Sequence, residues 1–332
     1  IETRLDASGT TQGEADVAAA SATGDFVAVW QSQDSDGSGV FGRRFDSGGM
    51  PIGIEFQVNE RTTLEQGSPE IAALEGGGFA AVWTDEESIG SFVRALRLFD
   101  SGGMPIGIET QFGSSDIAAK APALAVSSTG TLLVAWPQAS DRIATQLFDA
   151  GGMPIGIETL ISGEAAAGGP GVAPTRDGGF VVVWENSSGQ DTDGTGIFTR
   201  RIDSIGMPIG IETQVNGKFV GDQKSPSIAA APDGTFAVAW QSPDSDGSGI
   251  FVHRLDAGGM PIGIETLHSQ TQKGDQQAAD LVFTSSEGGF QVVWQSDDAG
   301  DEDILVSPSP VLLRDDFESG GLEAWDRVVP SP

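Results

Sequence analysis

Short runs of alternating apolar and polar residues, bounded by Gly, Pro, Asp and Ser, fill most of the chain. One run ends in Trp and recurs as FVAVW, FAAVW, LLVAW, FVVVW, FAVAW and FQVVW, with its Trp at Trp30, Trp83, Trp136, Trp184, Trp240 and Trp294. The intervals between these tryptophans are 53, 53, 48, 56 and 54 residues. No helical period of useful length interrupts the pattern, so the sequence predicts an all-β protein built from internal repeats.

The repeat unit has a constant order. An acidic Gly-rich loop follows the Trp strand, and then come a strand such as VFGRRFD, the turn SGGMPIG, a strand such as IEFQVN and a strand such as PEIAAL. Four antiparallel strands repeated at about 40 to 55 residues are typical of a β-propeller blade. The sequence therefore predicts a six-bladed β-propeller, with PEIAAL as the innermost strand.

The two ends of the chain complement each other. Residues 1–5 align with an outermost strand that has no blade of its own, whereas the sixth unit supplies three strands and lacks the fourth. We expect the N-terminal strand to close the ring by pairing with Ile304–Ser307, because closure removes exposed sheet edges. The same edge can also be filled by a neighbouring copy. The predicted domains are a propeller at 1–310 and an apolar C-terminal tail at 311–332.

Composition excludes several classes of function. The chain has 332 residues with 48 Asp and Glu against 17 Lys and Arg, a formal charge of -31, which repels nucleic acid and anionic lipid and suits cation binding. No apolar run is long enough to span a membrane. Cys is absent, and the only histidines are His253 and His268, so thiolate and histidine-rich metal centres are excluded. His253 lies beside Arg254 and is expected at the surface.

The repeats resemble a known family. The segments GGFVVVWENSSGQDTDGTGIFTRRID, GMPIGIETQVN and SPSIAA are similar to the repeats of large secreted bacterial surface proteins. This resemblance implies an extracellular or cell-surface location and an association with calcium, without an agreed catalytic activity. The tail DDFESGGLEAWDRVVPSP resembles a C-terminal segment of secreted bacterial proteins. The chain begins at Ile1 without a leader, as expected of a processed form.

Acidic loops follow three of the Trp strands and suggest a metal site. They read DSDGSG from Asp34, DTDGTG from Asp191 and DSDGSG from Asp244, and a looser DDAGDED begins at Asp297. Alternating side-chain oxygens with a Gly at the sharp turn suit Ca²⁺. The predicted metal ligands are Asp34, Asp36, Asp191, Asp193, Asp244 and Asp246. The closing Glu of an EF-hand is missing, and Asp-Gly pairs are also ordinary hairpin turns, so both interpretations stay open.

Catalytic residues are harder to identify. The Tyr nucleophile of a sialidase cannot exist in a chain without Tyr. Two carboxylates suffice for glycoside cleavage, but the pattern does not single out a pair among the 48 acids. The repeated Trp invites a reading as a sugar-stacking platform, whereas one Trp at the same register of every blade is also what packing between blades requires, and packing is the better explanation.

The heptapeptide GMPIGIE occurs five times without change and contains all five methionines of the chain. Turn chemistry explains its Gly and Pro but neither Met nor the first Ile. Recent duplication or an apolar contact ring would explain them. The interface predicted on the second reading comprises Met50, Met104, Met153, Met207 and Met260, together with Phe317, Leu322 and Trp325 of the tail.

These features together predict a non-enzymatic, secreted structural or binding propeller. On this interpretation its copies associate through the tail and the Met-Pro-Ile turns into an extracellular filament or surface layer, with a cell-surface or carbohydrate partner. The alternative is a carbohydrate-binding or carbohydrate-active propeller that uses its acidic face.

Overall fold

The computed structural model confirms an all-β, six-bladed propeller. It describes residues 12–306, with gaps at 20–23, 117–119, 164, 166–167, 188–190, 192, 218–219, 246, 270–273, 285–288 and 298–302. The described residues form five four-stranded sheets and one three-stranded sheet, all antiparallel. Within these residues no helix is long and apolar enough to cross a membrane.

Each blade takes its strands from consecutive segments of chain. Blade one contains β1 (Gln12–Ala19), β2 (Phe26–Gln33), β3 (Ser38–Phe45) and β4 (Pro51–Gln57). Blade two contains β5 (Gln66–Ala73), β6 (Phe79–Ser88), β7 (Ser91–Phe99) and β8 (Pro105–Asp116). Blade three contains β9 (Ala123–Val126), β10 (Leu132–Gln138), β11 (Arg142–Phe148) and β12 (Pro154–Leu160).

The second half of the ring repeats this order. Blade four contains β13 (Gly171–Pro174), β14 (Phe180–Asn186), β15 (Gly196–Ile202) and β16 (Pro208–Gln214). Blade five contains β17 (Lys224–Ala230), β18 (Phe236–Pro243), β19 (Ser248–Leu255) and β20 (Pro261–Leu267). Blade six contains β21 (Gln276–Thr284), β22 (Gly289–Ser296) and β23 (Asp303–Val306).

The core lies between neighbouring blades. The first strand of each blade is innermost, and these strands pack side by side around the central channel. The Trp strand comes second, and each of its tryptophans is at most 3% exposed. Trp136, for example, belongs to a cluster that also contains Leu96 and Leu98 of blade two. The six tryptophans therefore pack the blades together and are not sugar-stacking platforms.

The outermost strand starts earlier than the sequence predicts. It begins at the Pro of GMPIGIE, as in β4 at Pro51, and not after the following Gly. Gly53 lies inside the strand with φ +75°, where the register against β3 shifts between Gly42 and Arg44. The other four copies carry the same left-handed Gly. Such a bulge bends an exposed edge and discourages pairing with another sheet, which explains this Gly at the rim of every copy.

The first Gly of the heptapeptide sits against the preceding blade. Gly152 has φ +78°, and a Cβ there would lie 2.2 Å from Leu98 Cδ1 of blade two. Asp149 closes the turn, because its Oδ1 accepts the N–H groups of Gly151 and Met153 at 2.9 Å each. The positive φ is shared by all five copies and strains any larger residue there, and in blade three the contact with Leu98 adds to this effect.

The Glu of the heptapeptide ties one blade to the previous one. Glu109 on β8 accepts the N–H of Glu60, which follows β4, at 2.6 Å. Glu212 on β16 accepts the N–H of Gly163 at 2.5 Å, and Glu265 on β20 accepts that of Gly217 at 2.7 Å. In these three copies the carboxylate satisfies a backbone donor that has left its own sheet. The Glu is therefore part of the interblade contact.

Removal of one such carboxylate should destabilise the propeller. We expect Glu212→Ala to lower the free energy of unfolding by about 1–3 kcal/mol, because the N–H of Gly163 loses its acceptor. Glu212→Gln retains an oxygen acceptor and should cost less. Urea unfolding of the two variants beside the unaltered protein checks this, and equal losses for Ala and Gln would contradict the interblade role.

The chain ends lie outside the described residues. Closure of blade six by residues 1–5 and docking of the tail at 311–332 therefore stay predictions. The described part of blade six agrees with the sequence, since β23 pairs with β22 from Asp303↔Ser296 to Val306↔Val293 and forms its third strand.

Candidate functional site

The central channel carries acidic side chains at one height. In each blade one residue of the innermost strand pairs with the residue that precedes the Trp. At this register stand Asp16 (opposite Val29), Glu70 (opposite Val82) and Asp280 (opposite Val293) in blades one, two and six. The other three blades place Ala123, Gly171 and Ser227 there. Three carboxylates thus occupy one side of the channel and small residues the other.

A bulge in the innermost strand sets the register of these side chains. The pairing with the Trp strand shifts just before Glu70, Ser227 and Asp280, and it also shifts in β1. Two residues before those three positions, Ser68, Ser225 and Ala278 have φ values of +49°, +52° and +50°. Non-Gly residues in this conformation are strained and cluster at functional sites. The bulge breaks the period of two along each strand.

Asp16 and Glu70 form a hydrogen-bonded pair of carboxyl groups. Burial raises the pKa of Glu70 well above its usual range, and the negative charge of Asp16 raises it further. Burial also raises the pKa of Asp16, but two backbone donors oppose this effect. Its Oδ2 accepts the N–H of Ile71 at 2.8 Å and its Oδ1 accepts that of Val17 at 2.7 Å. Glu70 therefore keeps its proton to a higher pH than Asp16 does.

Asp280, on the innermost strand of blade six, adds a third carboxylate beside those of blades one and two. It is exposed in the channel, and its Oδ1 accepts the Ser227 hydroxyl at 2.7 Å and the N–H of Leu281 at 2.8 Å. Its charge contributes to the raised pKa of both Glu70 and Asp16. A carboxyl group that keeps its proton can donate it to a leaving group, and neighbouring carboxylates can stabilise developing positive charge.

The raised pKa of Glu70 sets the direction of a pH effect on stability. The folded protein holds this proton where the unfolded chain, with a pKa near 4.5, has released it. The stabilisation is present below that pH and is lost as pH rises through the raised pKa. Glu70→Gln mimics the protonated form, so we expect it to melt a few degrees above the unaltered protein near pH 8 and alike near pH 4. Scanning calorimetry at both pH values checks this, and a pH-independent difference would contradict it.

Steric contacts account for the glycines of the acidic loops. In blade one, Asp34 Oδ1 accepts the N–H of Asp36 at 2.9 Å and Oδ2 accepts Gln57 Nε2 at 3.3 Å. Gly37 has φ +126°, and a Cβ on Gly39 would lie 2.8 Å from Asp34 Oδ2. A Cβ at the equivalent Gly of blades four and five would lie 2.7 Å from Asp191 and Asp244. Each Gly of the motif thus has a steric reason in the loop itself.

The predicted metal ligands differ in their surroundings. Asp191 is 1% exposed and its Oδ2 accepts Asn216 Nδ2 at 2.7 Å, while its buried Oδ1 has no hydrogen-bond partner among the described residues. Burial raises the pKa of Asp191. Asp193 is exposed and accepts the N–H of Gly221 at 3.3 Å, and Asp246 lies outside the described residues. Among the described residues no three acids or histidines come close enough to hold a metal together.

Calcium binding at these loops stays a prediction. We expect Ca²⁺ to bind weakly, at roughly 10⁻⁴ to 10⁻³ M, and to raise the melting temperature of the chelated protein. The rise in melting temperature with Ca²⁺ should be smaller in Asp191→Asn, because the buried Oδ1 of Asp191 lies in the loop of blade four. It should be unchanged in Glu75→Gln, which alters an exposed acid and serves as the control. A melting temperature that does not change with added Ca²⁺ would contradict the prediction.

The remaining predicted positions fall in two groups. The five methionines are 49–65% exposed at the turns before the outermost strands, at the end of the propeller opposite the acidic loops. Phe317, Leu322 and Trp325 lie outside the described residues. The expectation for His253 is wrong, since it is 7% exposed and its Nδ1 lies 2.8 Å from the carbonyl oxygen of Val215 in blade four.

Solved structures with the same fold share little sequence with the chain. The Penicillium chrysogenum alpha-L-arabinanase complexed with arabinobiose has TM-score 0.61, 16% identity and coverage of 91% of this chain and 95% of its own. The GH93 alpha-L-arabinofuranosidase of Fusarium graminearum, also with arabinobiose, has values of 0.60, 11%, 91% and 94%. The Hadza microbial sialidase Hz136 has 0.51, 13%, 88% and 65%. Neither the protein-family models nor the curated proteins give a match.

These structures overturn the interpretation as a non-enzymatic structural protein, whereas self-association through the tail and the Met-Pro-Ile turns stays a prediction. The propellers that the fold matches include an arabinanase, an arabinofuranosidase and a sialidase, and these three are enzymes that act on carbohydrate. The sequence-based expectation failed because it weighed the exposed rim and tail and found no carboxylate pair. The signal was available: an acid at equivalent positions of the innermost strands in blades one, two and six.

Proposed function

We propose that the chain is a carbohydrate-active propeller that hydrolyses a glycosidic bond at the carboxylates of its central channel. One observation carries this proposal: Asp16, Glu70 and Asp280 share a register on three neighbouring innermost strands, where the carboxyl groups of Asp16 and Glu70 are hydrogen-bonded to each other. Glycoside hydrolysis needs a carboxylic acid and a carboxylate in one site. The fold shared with arabinanase and arabinofuranosidase supports the same class.

Each carboxyl group takes a role from its surroundings. Glu70 donates its proton to the oxygen of the leaving sugar, because burial and its charged neighbours keep it protonated. Asp16 accepts two backbone N–H groups that favour its ionised form, so its role is to stabilise the positive charge that develops on the sugar ring. Asp280 is the exposed member and acts as the general base that takes a proton from the incoming water, with Ser227 fixing one of its oxygens.

A hydrolysis screen tests the proposal. The purified chain is incubated with arabinan, xylan, β-glucan, sialyllactose and a set of aryl glycosides, and released reducing ends or phenol are measured. We expect turnover of at least one substrate by the unaltered protein and a much lower rate on the same glycan by Glu70→Gln. An undiminished rate in Glu70→Gln places the chemistry elsewhere. The proposal would be overturned if the protein neither hydrolysed nor bound any of these glycans.

The place of action follows as part of the same proposal. We infer that the protein works outside the cell, since its repeats resemble those of secreted surface proteins and its charge of -31 is screened in a saline exterior. Fractionation of the source cells checks this location, and recovery of the protein in the cytoplasm alone would contradict it.

A further inference from the structure

An apolar band surrounds one rim of the propeller and has no counterpart in the proposed chemistry. We call it the methionine belt. It comprises the Met and the second Ile of each heptapeptide: Met50, Met104, Met153, Met207, Met260, Ile54, Ile108, Ile157, Ile211 and Ile264. The methionines are 49–65% exposed and the isoleucines 73–85%. Exposed apolar patches of more than a few hundred Å² on soluble proteins mark contact surfaces.

The belt does not follow from folding alone. The turn requires the Asp that precedes the heptapeptide and its first Gly, and the bulge in the outermost strand requires the second Gly. The contact between blades requires the Glu. The second Ile packs against little of the described structure, and Ile54 is 85% exposed. Met contacts the preceding blade only in part, as where Thr213 Oγ1 lies 3.7 Å from Met260 Sδ. A partner that covers the belt would give these two positions a role.

The chain leaves the described structure towards this belt. Val306, at the end of β23, stands opposite Val293. The residue at that register in blade five is Val252, which stands opposite Ala239. From there β19 runs only three residues further, to Leu255, before the turn that carries Met260. The chain beyond Val306 therefore starts close to the height of the belt.

It also starts between two segments of the belt. Blade six is flanked by blade five, which carries Met260, and by blade one, which carries Met50. The tail carries the complementary chemistry at Val311, Leu312, Leu313, Phe317, Leu322, Trp325, Val328 and Val329. Met makes favourable contacts with aromatic rings and adapts to irregular partners. At about 3.3 Å per extended residue, residues 307–325 can reach either flank.

We propose that residues 311–332 dock on the methionine belt of their own chain, with Phe317 and Trp325 against the Met and Ile of blades one and five. The tail covers the two belt segments beside blade six and leaves those of blades two and three exposed. The interaction is independent of the channel carboxylates and of the hydrolysis proposed for them.

The oxidation rate of each methionine reports whether its part of the belt is covered. The full chain is oxidised with dilute peroxide, and the rate at each Met is measured by mass spectrometry of its distinct proteolytic peptide. Their similar exposure in the described propeller gives similar rates where nothing covers them. We expect Met50 and Met260 to oxidise several-fold more slowly than Met104 and Met153. In the full-length double variant Phe317→Ser, Trp325→Ser, all should oxidise at similar rates.

Three results would overturn the proposal. Uniform rates in the unaltered chain would mean that the tail does not cover the belt. Protection that persists in the double variant would mean that something other than Phe317 and Trp325 provides it. Protection that appears only as protein concentration rises would assign the tail to a second copy. The melting temperature of the double variant serves as the control for an intact fold.

Discussion

Glu70→Gln is expected to lower the rate of glycoside hydrolysis by about 10²- to 10⁴-fold, the usual contribution of a positioned acid or base. Gln has the size of Glu but no acidic proton to give to the leaving sugar. The loss should appear in kcat, because proton donation acts in the transition state, while binding of an uncleaved oligosaccharide changes little. Initial rates on the best substrate of the screen, with calorimetric binding beside them, give both quantities.

The control for this variant is Glu75→Gln, which removes an exposed acid from the turn after the same strand. It should leave the rate unchanged. A substrate with a good phenolic leaving group needs less proton donation, so its hydrolysis by Glu70→Gln should be impaired less. If both substrates lose the same factor, Glu70 is not the proton donor, even if the site is correct.

Trp136→Ala is expected to lower the free energy of unfolding by about 3–5 kcal/mol. Trp136 is fully buried between blades two and three, where the ring of Phe112 meets it edge-on with centroids 5.4 Å apart. The guanidinium of Arg94 lies 5.8 Å from the Trp ring centroid on the other blade. Truncation leaves a cavity that six close-packed blades cannot easily collapse. Denaturant unfolding followed by tryptophan fluorescence measures the loss.

Ile157→Ala is the matched control, because Ile157 is 84% exposed on the outermost strand of the same blade. It should change the free energy of unfolding by less than about 0.5 kcal/mol. Activity per folded molecule of Trp136→Ala should stay near that of the unaltered protein. If Trp136→Ala kept its stability but lost glycan binding, Trp136 would be a sugar-stacking residue and the packing role would be wrong.

The fold could be predicted from the sequence because its cause is local and repeated. Alternation of apolar and polar residues sets strands, Gly and Asp set turns, and a Trp strand recurring at intervals of 48 to 56 residues sets the number of blades. The heptapeptide was only partly understood in this way. Its turn was clear, but the left-handed Gly53 inside the edge strand and the hydrogen bond of Glu109 to Glu60 depend on a partner strand or blade.

The candidate site was decided by tertiary structure. Asp16 and Glu70 are 54 residues apart and Asp280 lies near the far end of the chain, so no local pattern separates them from the other acids. A bulge in the innermost strands sets their register, and packing of those strands around one axis gathers the three charges. Burial then raises the pKa of Glu70. Packing between blades also buries the side chain of His253. Periodicity determines which residues form strands, whereas the environment of a side chain depends on neighbours that are distant in sequence.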